Sequence, residues 1–383
     1  MGISPLEPVD ANQTASMLED AGRRGLSVVP TGSGTKLGWI RSSSGDAIPL
    51  STKRLNAPVQ HFAGDLVATI PSGTALASAN EILAQAGQWL PLDPSYAACA
   101  TIGGIVAAND SGPRRHKYGS PRDLIIGIEL ALCDGRVARA GGRVVKNVAG
   151  YDLSRLVCGS FGSLAVITSA TFKLSPLAAA SRTVVATCAR GADAAHLALT
   201  IASQPVTPSA VEIQAPSARL LVRFETTEQA ADQMAATTRA LLENGGAATQ
   251  VLSGEDERGI WNHHEASIWD SPGLVAKLSV LPTDVASVLE VLNGFGSSIE
   301  WTAVGRAALG VLLVRVNGAA AEEHATITRL HQHAVANKGT LVVLRGTPER
   351  DVPSLRGDDP NLRGVMDAVK ARFDPNGVLP TVP

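Results

Sequence analysis

Charge is scarce in this chain and balanced in sign. Asp, Glu, Lys and Arg supply 18% of the 383 residues, and 33 basic against 35 acidic side chains leave a formal net charge of -2. That balance excludes a general electrostatic attraction to nucleic acid or to an anionic membrane. Cysteine is rarer still: Cys99, Cys133, Cys158 and Cys188 stand alone, without the paired spacing of a zinc or iron-sulfur site. They read as small buried apolar residues of a reducing compartment. No apolar run approaches the roughly 18 residues of a membrane span. Met1–Asp10 also lacks the basic region and apolar core of a secretory signal. The expectation is a cytoplasmic protein.

Against these absences stands a hydrophobic content of 45%, enough for a sizeable core. The length exceeds what one core usually organises, so two domains are expected. Glycine is dense where the apolar runs look most β-like. Between Thr101 and Thr168 fall Thr101-Ile102-Gly103-Gly104, Tyr118-Gly119, Gly141-Gly142, Gly150-Tyr151-Asp152-Leu153 and Gly159-Ser160-Phe161-Gly162-Ser163-Leu164. Such spacing serves either tight turns or a backbone that must approach something flat or anionic, where a Cβ would obstruct.

The chain opens with helical spacing over 12–21, then a short strand at 26–29 that runs into Pro30-Thr31-Gly32-Ser33-Gly34-Thr35-Lys36. A strand followed by such a turn suits either a nest of N–H groups around phosphate oxygens, with Lys36 adding charge at the rim, or a plain loop. It is not a Walker A loop, because Thr35 and Leu37 flank the lysine where Gly and Ser or Thr are needed. Nor is it the dinucleotide fingerprint, since Leu37 stands where the third glycine belongs. Short strands are expected at 47–50, 58–62 and 65–70, and a helix capped by Thr74 runs to about Gln85. Gly103-Gly104 starts a short helix whose first amides would face an anion. Asp134-Gly135 turns a hairpin.

Residues 176–180 are the expected domain boundary. Beyond them strands and helices alternate as in an α+β domain with an antiparallel sheet. Thr226 and Gln229 have the spacing of a capping box. His331 and His333 fall in an expected helix, where residues two apart do not share a face, so they read as surface or packing histidines. His263-His264 and Glu265 have no better spacing for a metal. Trp261 and Trp269, eight apart, read as packing anchors.

The ordered set Pro-x-Gly-x-Gly-Thr, Pro-Leu-Asp-Pro at 91–94, Thr-Ile-Gly-Gly, Tyr-Gly, Gly-Tyr-Asp-Leu and Gly-x-Phe-Gly-x-Leu resembles one flavoprotein family. Its FAD domain is named after para-cresol methylhydroxylase (PCMH) and vanillyl-alcohol oxidase. Within it, Lys146-Asn147-Val148-Ala149-Gly150-Tyr151-Asp152-Leu153 and Phe373-Asp374-Pro375-Asn376-Gly377-Val378-Leu379 look most like the FAD-binding subunits of bacterial glycolate oxidases. The resemblance implies an α+β fold: a two-lobed PCMH-type FAD-binding domain over 1–177, then a cap-like α+β domain over 178–383. The motif at 370–379 would return toward the first domain.

By position, the resemblance assigns Pro30, Thr31, Gly32, Ser33, Gly34, Thr35 and Lys36 to the pyrophosphate. Pro94, Ser95, Thr101, Gly103 and Gly104 would continue along the cofactor, Asn109 and Gly112 would lie near the flavin ring, and Gly162, Leu164 and Ile167 would follow the nucleotide. No histidine stands at the family's covalent-attachment position, so FAD is expected to be noncovalent. The implied chemistry is oxidation of a small 2-hydroxy acid, glycolate or D-lactate, to the 2-oxo acid. The implied partners are a homologous catalytic flavoprotein subunit and an iron-sulfur subunit, with any membrane association made through them.

The histidine pair and acidic partner used for metal and substrate by catalytic members are missing. That favours a subunit over an independent dehydrogenase, and leaves a third reading, a noncatalytic subunit that keeps FAD for assembly. Lys146, Tyr151, Arg114 and His116 are candidate substrate-region groups. Arg306 reads as either a substrate-carboxylate partner or plain surface charge. Pro380-Thr381-Val382-Pro383 departs from the family's usual ending.

Overall fold

The computed structural model describes residues 4–39, 47–143, 152–297, 299–346 and 360–381. Lys146 and Tyr151 lie outside them. The chain divides into two compact units: Met1–Gly112 with Tyr118–Leu177 and Asp359–Pro383, and Pro113–Lys117 with Ala178–Asp358.

In the first unit, helix Ala11–Arg23 starts at Asp10, whose side chain accepts from the Gln13 amide. It buries Ala15, Leu18 and Ala21 against Val28 and Leu50. Those last two belong to a parallel pair, Val28–Thr31 beside Ile48–Ser51. A five-stranded antiparallel sheet follows, in the order Gln60–Phe62, Val67–Pro71, Val166–Lys173, Ile125–Ala131 and Val137–Gly141. The last two strands form the hairpin expected around Asp134-Gly135, where Gly135 takes a φ of 83°. Helices Leu76–Ala84 and Ile102–Ala108 join the sheet's apolar core, which includes the fully buried Ile70, Leu83, Ile102, Ile105 and Phe172. Each such side chain contributes about 1.5–3 kcal/mol by burial.

The segment near the carboxyl terminus completes this unit. The Val28 N–H donates to the Val378 carbonyl at 2.7 Å. Asp374 accepts from the Val378 and Leu379 amides, both at 2.8 Å, and pairs with Lys370, whose Nζ also donates to the Ser163 carbonyl at 2.8 Å.

The second unit is built on an eight-stranded antiparallel sheet. Its order is Ala248–Leu252, Ala180–Thr187, Arg219–Thr226, Ala210–Ala215, Glu300–Arg306, Val311–Asn317, Leu274–Ser279 and Thr340–Arg345. Alternation along the central strands sends Val211, Ile213, Val222 and Val314 into the main apolar core, which helices Gly191–Ala202, Glu228–Asn244, Val285–Asn293 and Ala320–Ala336 share. The opposite face carries polar side chains and meets helix Gly254–Trp269 through Trp261, packed with Val185, Ala210 and Leu221.

Two expected helix starts differ in detail. Helix Glu228–Asn244 is capped at Thr227, not Thr226, and makes no side-chain cap bond. Helix Leu76–Ala84 begins after Ala75, because Thr74 spends its carbonyl on the Ile102 amide and so belongs to the turn that joins the two helix starts.

The free thiols differ sharply in environment. Cys99 is exposed, whereas burial pushes the Cys133 and Cys158 thiols up, Cys158 to about 12. Since the thiolate is the reacting species, iodoacetamide at pH 8 should alkylate Cys99 and leave Cys133 and Cys158 unlabelled in the folded chain, as read by peptide mass.

Candidate functional site

The glycine-rich loop after strand Val28–Thr31 forms one wall of a groove of about 660 Å³, including space open at its mouth. Pro30 through Leu37 line it together with Thr52, Thr101, Gly103, Gly104, Ala107, Ala108, Phe161, Gly162 and Val166. Local chain geometry brings these walls together. Thr52 donates its amide to the Thr31 carbonyl at 2.9 Å, continuing the parallel pair. The Gly159 and Phe161 amides donate to the Val106 and Ala107 carbonyls at 3.1 and 2.8 Å, which docks the turn at 159–162 on the end of helix Ile102–Ala108. Phe161 and Gly162 both take positive φ, 53° and 74°, to make that turn.

The loop fits an extended, anionic ligand. Among the described residues, none of the backbone N–H groups from Gly32 to Lys36 donates to a backbone carbonyl, whereas Leu37 and Trp39 turn in on Gly34 and Lys36. Consecutive unspent amides in a tight loop form a concavity that satisfies phosphate oxygens. A Cβ added at Gly34 would meet only Leu37 Cδ1, at 3.7 Å. One at Gly104 would meet only Thr101 Oγ1, at 3.4 Å, and one at Gly162 only the Pro30 ring, from 3.5 Å. These glycines border open space. Gly32 and Gly103 do something else. A Cβ on Gly32 would sit 2.0 Å from Thr101 Oγ1, and one on Gly103 would sit 2.8 Å from Ser72 Cβ, so both permit close packing of the walls themselves.

Lys36 does not stand at the rim. It is buried, with Nζ 3.2 Å from Asp110 Oδ2, donating to the Ser95 carbonyl at 3.2 Å and lying 5.6 Å from the Trp39 ring. Asp110 Oδ2 also accepts from the Ser95 amide at 2.9 Å. A lysine in a loop reads as a solvent-facing charge until its counter-ion is known, and that counter-ion is distant in sequence. The first helix amides are likewise partly spent, Ile102 on the Thr74 carbonyl and Gly103 on that of Ser72, both at 2.9 Å.

Of the positions assigned from sequence, Pro30, Thr31, Gly32, Ser33, Gly34, Thr35, Lys36, Thr101, Gly103, Gly104, Gly162 and Ile167 line the groove. Pro94, Ser95, Asn109, Gly112 and Leu164 lie outside that lining. Ser95 holds Lys36. Asn109 ends its helix at a φ of 46°, and its Oδ1 accepts from Cys158 Sγ at 3.4 Å. Gly112 lies against Asp93, whose carbonyl would be 2.0 Å from a Cβ there. Leu164 is buried in the sheet's apolar core. Leu37, Thr52, Ala107, Ala108, Phe161, Ala165 and Val166 also line the groove and were missed. Phe161 alone carried a signal, its place between two glycines of a motif.

In the second unit, Arg114 is not free to take an anion: its Nε and Nη2 grip the Glu225 carboxylate, at 3.1 and 2.7 Å, while Lys117 Nζ donates to the Glu225 carbonyl at 3.1 Å. Burial pushes the Glu225 carboxyl up, but the Arg114 hydrogen bond and charge, with the Arg223 charge and a Ser209 hydrogen bond, together outweigh it and hold it below its ordinary value. Arg306 is buried, not surface charge, and lies 3.5 Å from Glu212. His331 and His333 lie in helix Ala320–Ala336, with His333 Nε2 3.0 Å from Ser287 Oγ. Trp261 anchors packing as its spacing implied, but its neighbour His264 is buried on Glu212 and Gln214, which nothing in the sequence signalled.

Residues 6–141 match the family described as FAD binding domain. The first unit contains an FAD-binding domain. It is of the PCMH type, related to those of glycolate oxidase subunits and other 2-hydroxy-acid oxidoreductases, and FAD is its cofactor, held noncovalently. Glycolate oxidase subunit GlcD of Bacillus subtilis is 26% identical over 417 aligned residues, covering 98% of this chain and 87% of that protein. D-lactate dehydrogenase of Archaeoglobus fulgidus is 34% identical over 45% of this chain and 38% of that protein. Glycolate oxidase subunit GlcE of Escherichia coli is 41% identical over 40% of this chain and 44% of that protein.

Among solved structures, alkyldihydroxyacetonephosphate synthase in two crystal forms superposes with TM-scores of 0.74 and 0.76. At 17% identity, over 97–98% of this chain and 75–77% of the synthase, that likeness establishes the α+β fold with its antiparallel sheet toward the carboxyl terminus. The chain is an FAD-dependent oxidoreductase. Among the described residues no helix is long and apolar enough to cross a membrane.

Proposed function

We propose that this chain is the FAD-binding subunit of a glycolate oxidase-like complex that oxidises glycolate, or a close relative such as D-lactate, to the 2-oxo acid. The observation that supports it most is the glycine-bordered groove with unspent amides from Gly32 to Lys36, taken with a likeness to GlcD along nearly the whole chain and to GlcE at 41% identity. FAD, when bound, supplies the two-electron acceptor; the protein's share is to hold it, orient substrate and manage the proton. Gly32 through Lys36 would hold the pyrophosphate by their amides, and Gly104 and Gly162 would leave room for the extended nucleotide. Electrons would pass on to a homologous flavoprotein and an iron-sulfur subunit, since the four cysteines of this chain lack a cluster's spacing.

A second reading, an independent D-lactate-like dehydrogenase, draws on the 34% identity to the D-lactate dehydrogenase of Archaeoglobus fulgidus over 45% of this chain. Anaerobic visible absorbance separates the two. Titrating glycolate and D-lactate into the purified chain, then into the chain with its partner subunits, should bleach the flavin fully only in the complex. Full bleaching of the isolated chain by D-lactate favours the second reading. No bleaching of this chain's flavin under either condition leaves the noncatalytic subunit.

A further inference from the structure

Lys370 stands in the last turn of helix Pro360–Phe373 and meets Asp374 one turn further on. The Asp374 carboxylate is buried, and its two oxygens accept from the Val378 and Leu379 amides, which fixes the turn through Gly377 from inside. Lys370 Nζ reaches the other way as well. Besides Asp374 it donates to the Leu379 and Pro380 carbonyls at 3.1 and 3.4 Å, and to the Ser163 carbonyl at 2.8 Å. The first three acceptors belong to the closing segment, 374–380. The fourth belongs to the groove, because Ser163 directly follows Phe161-Gly162, which line it.

The closing segment meets the groove's walls in two further places. Val378 and Leu379 share an apolar cluster with Val28 and Val166, and Val166 lines the groove. The Val378 carbonyl accepts from the Val28 amide, at the start of the strand that runs into the glycine-rich loop.

The turn that Lys370 holds is not self-supporting. Phe161 sits in the left-handed region, at a φ of 53°, where a bulky side chain is unfavourable and stays only while its surroundings over-determine it. Helix Ile102–Ala108 holds the turn on one side through the Val106 and Ala107 carbonyls, and Lys370 adds a charged donor on the other. Hydrogen bonds with an ionised partner are the stronger kind. A site already in shape binds its ligand more tightly, because less of the unbound protein is in an incompetent form.

We propose that Lys370 is a positioning residue for the cofactor: it clamps the turn at 159–163 to the closing segment, so that holding FAD and docking 374–380 are one coupled event. The assignment rests on the reading that the groove holds FAD. Coupling is reciprocal, so FAD tightens the closing segment as much as the segment tightens FAD.

Amide hydrogen exchange of the full chain, without and with FAD, reads the coupling directly. FAD should slow the amides of Ser163, Val378 and Leu379 by a common factor, although the last two do not line the groove. Slowing at 161–163 with none at Val378 and Leu379 overturns the clamp and leaves the groove standing as the FAD site. Slowing at neither 161–163 nor 32–36 removes the groove as that site, and the clamp with it.

Lys370→Met should weaken FAD binding roughly 10- to 100-fold, the equivalent of one hydrogen bond to a charged group, and should speed exchange at Ser163. Stripping Asp374 of its counter-ion would lower the melting temperature by itself, so a control for stability is needed. Leu83→Ala hollows the core of the same unit at a position outside the groove's lining, and should melt lower yet hold FAD as the wild type does. Titration of FAD into each apoprotein, below both melting temperatures, compares them. Affinity that falls equally in both variants, or in neither, makes Lys370 a stabilising residue only and overturns the proposal. Should Lys370→Met not fold, the wild-type exchange pattern decides alone.

Discussion

Replacing Asp110 with alanine is expected to lower the melting temperature of the FAD-binding unit by about 10 °C and to empty it of cofactor. The reasoning starts from burial. Lys36 and Asp110 expose only 8% and 10% of their side chains, so the ammonium cannot turn to water when its partner is removed. Breaking a buried pair by deleting one member costs about 3–5 kcal/mol, and a unit of this size loses about 2–4 °C per kcal/mol. The Ser95 amide loses its acceptor in the same substitution. Because Lys36 ends the row of unspent amides, its release also disorganises the loop that should hold the pyrophosphate. Thermal unfolding followed by flavin fluorescence checks both effects. Lys36→Met combined with Asp110→Leu removes both charges and should recover part of the loss, while a single Asp110→Ala variant that melts like the wild type would show that the pair does not hold the loop.

Gly32→Ala should weaken FAD binding about 10- to 100-fold, the equivalent of the 1–3 kcal/mol typical of overpacking. The new Cβ would fall 2.0 Å from Thr101 Oγ1, with Thr101 Cβ and Cγ2 at 3.2 and 3.3 Å, so turning the threonine only exchanges one clash for another. Backbone must move, and the backbone in question carries the amides. Thr101→Ala removes Oγ1 and Cγ2 together. In a double-mutant cycle it should restore most of what Gly32→Ala loses. Calorimetric titration of FAD into apoprotein reads all four corners, and an alanine variant that binds FAD as tightly as wild type would separate this loop from the cofactor.

These two cases also mark where the sequence was legible and where it was not. Helix Ala11–Arg23, the hairpin at Asp134-Gly135 and helix Ile102–Ala108 were all readable because their signals are local: periodicity, a turn dipeptide, paired glycines. The Gly32–Lys36 loop was readable for the same reason, as glycine and small polar residues directly after a strand. What Lys36 touches was not, because the pairing with Asp110 is a product of the tertiary fold. The misread cap at Thr226 has a local cause: Thr226 and Thr227 are adjacent, both suit the position, and only the end of strand Arg219–Thr226 decides between them. His264 and Glu212 were invisible because an apolar strand with one glutamate and a helix with two histidines give no hint that the two will meet under a sheet. The groove's quieter walls, Ala107, Ala108, Ala165 and Val166, are side chains whose only qualification is being small or apolar at the right point in space.

The hydrogen bond from Val28 to Val378 ties residues about 350 positions apart into one unit. Contacts of such long sequence separation form slowly, because the intervening chain must close before they can contribute. A nascent chain leaving the ribosome would therefore carry strand Val28–Thr31 with its edge unsatisfied through nearly all of synthesis, and the second unit has its whole sheet available first. Final closure of the nucleotide-holding unit would come after translation of Asp374 to Leu379, which makes those few residues the step at which a chaperone, or the cofactor itself, has the most to gain by intervening.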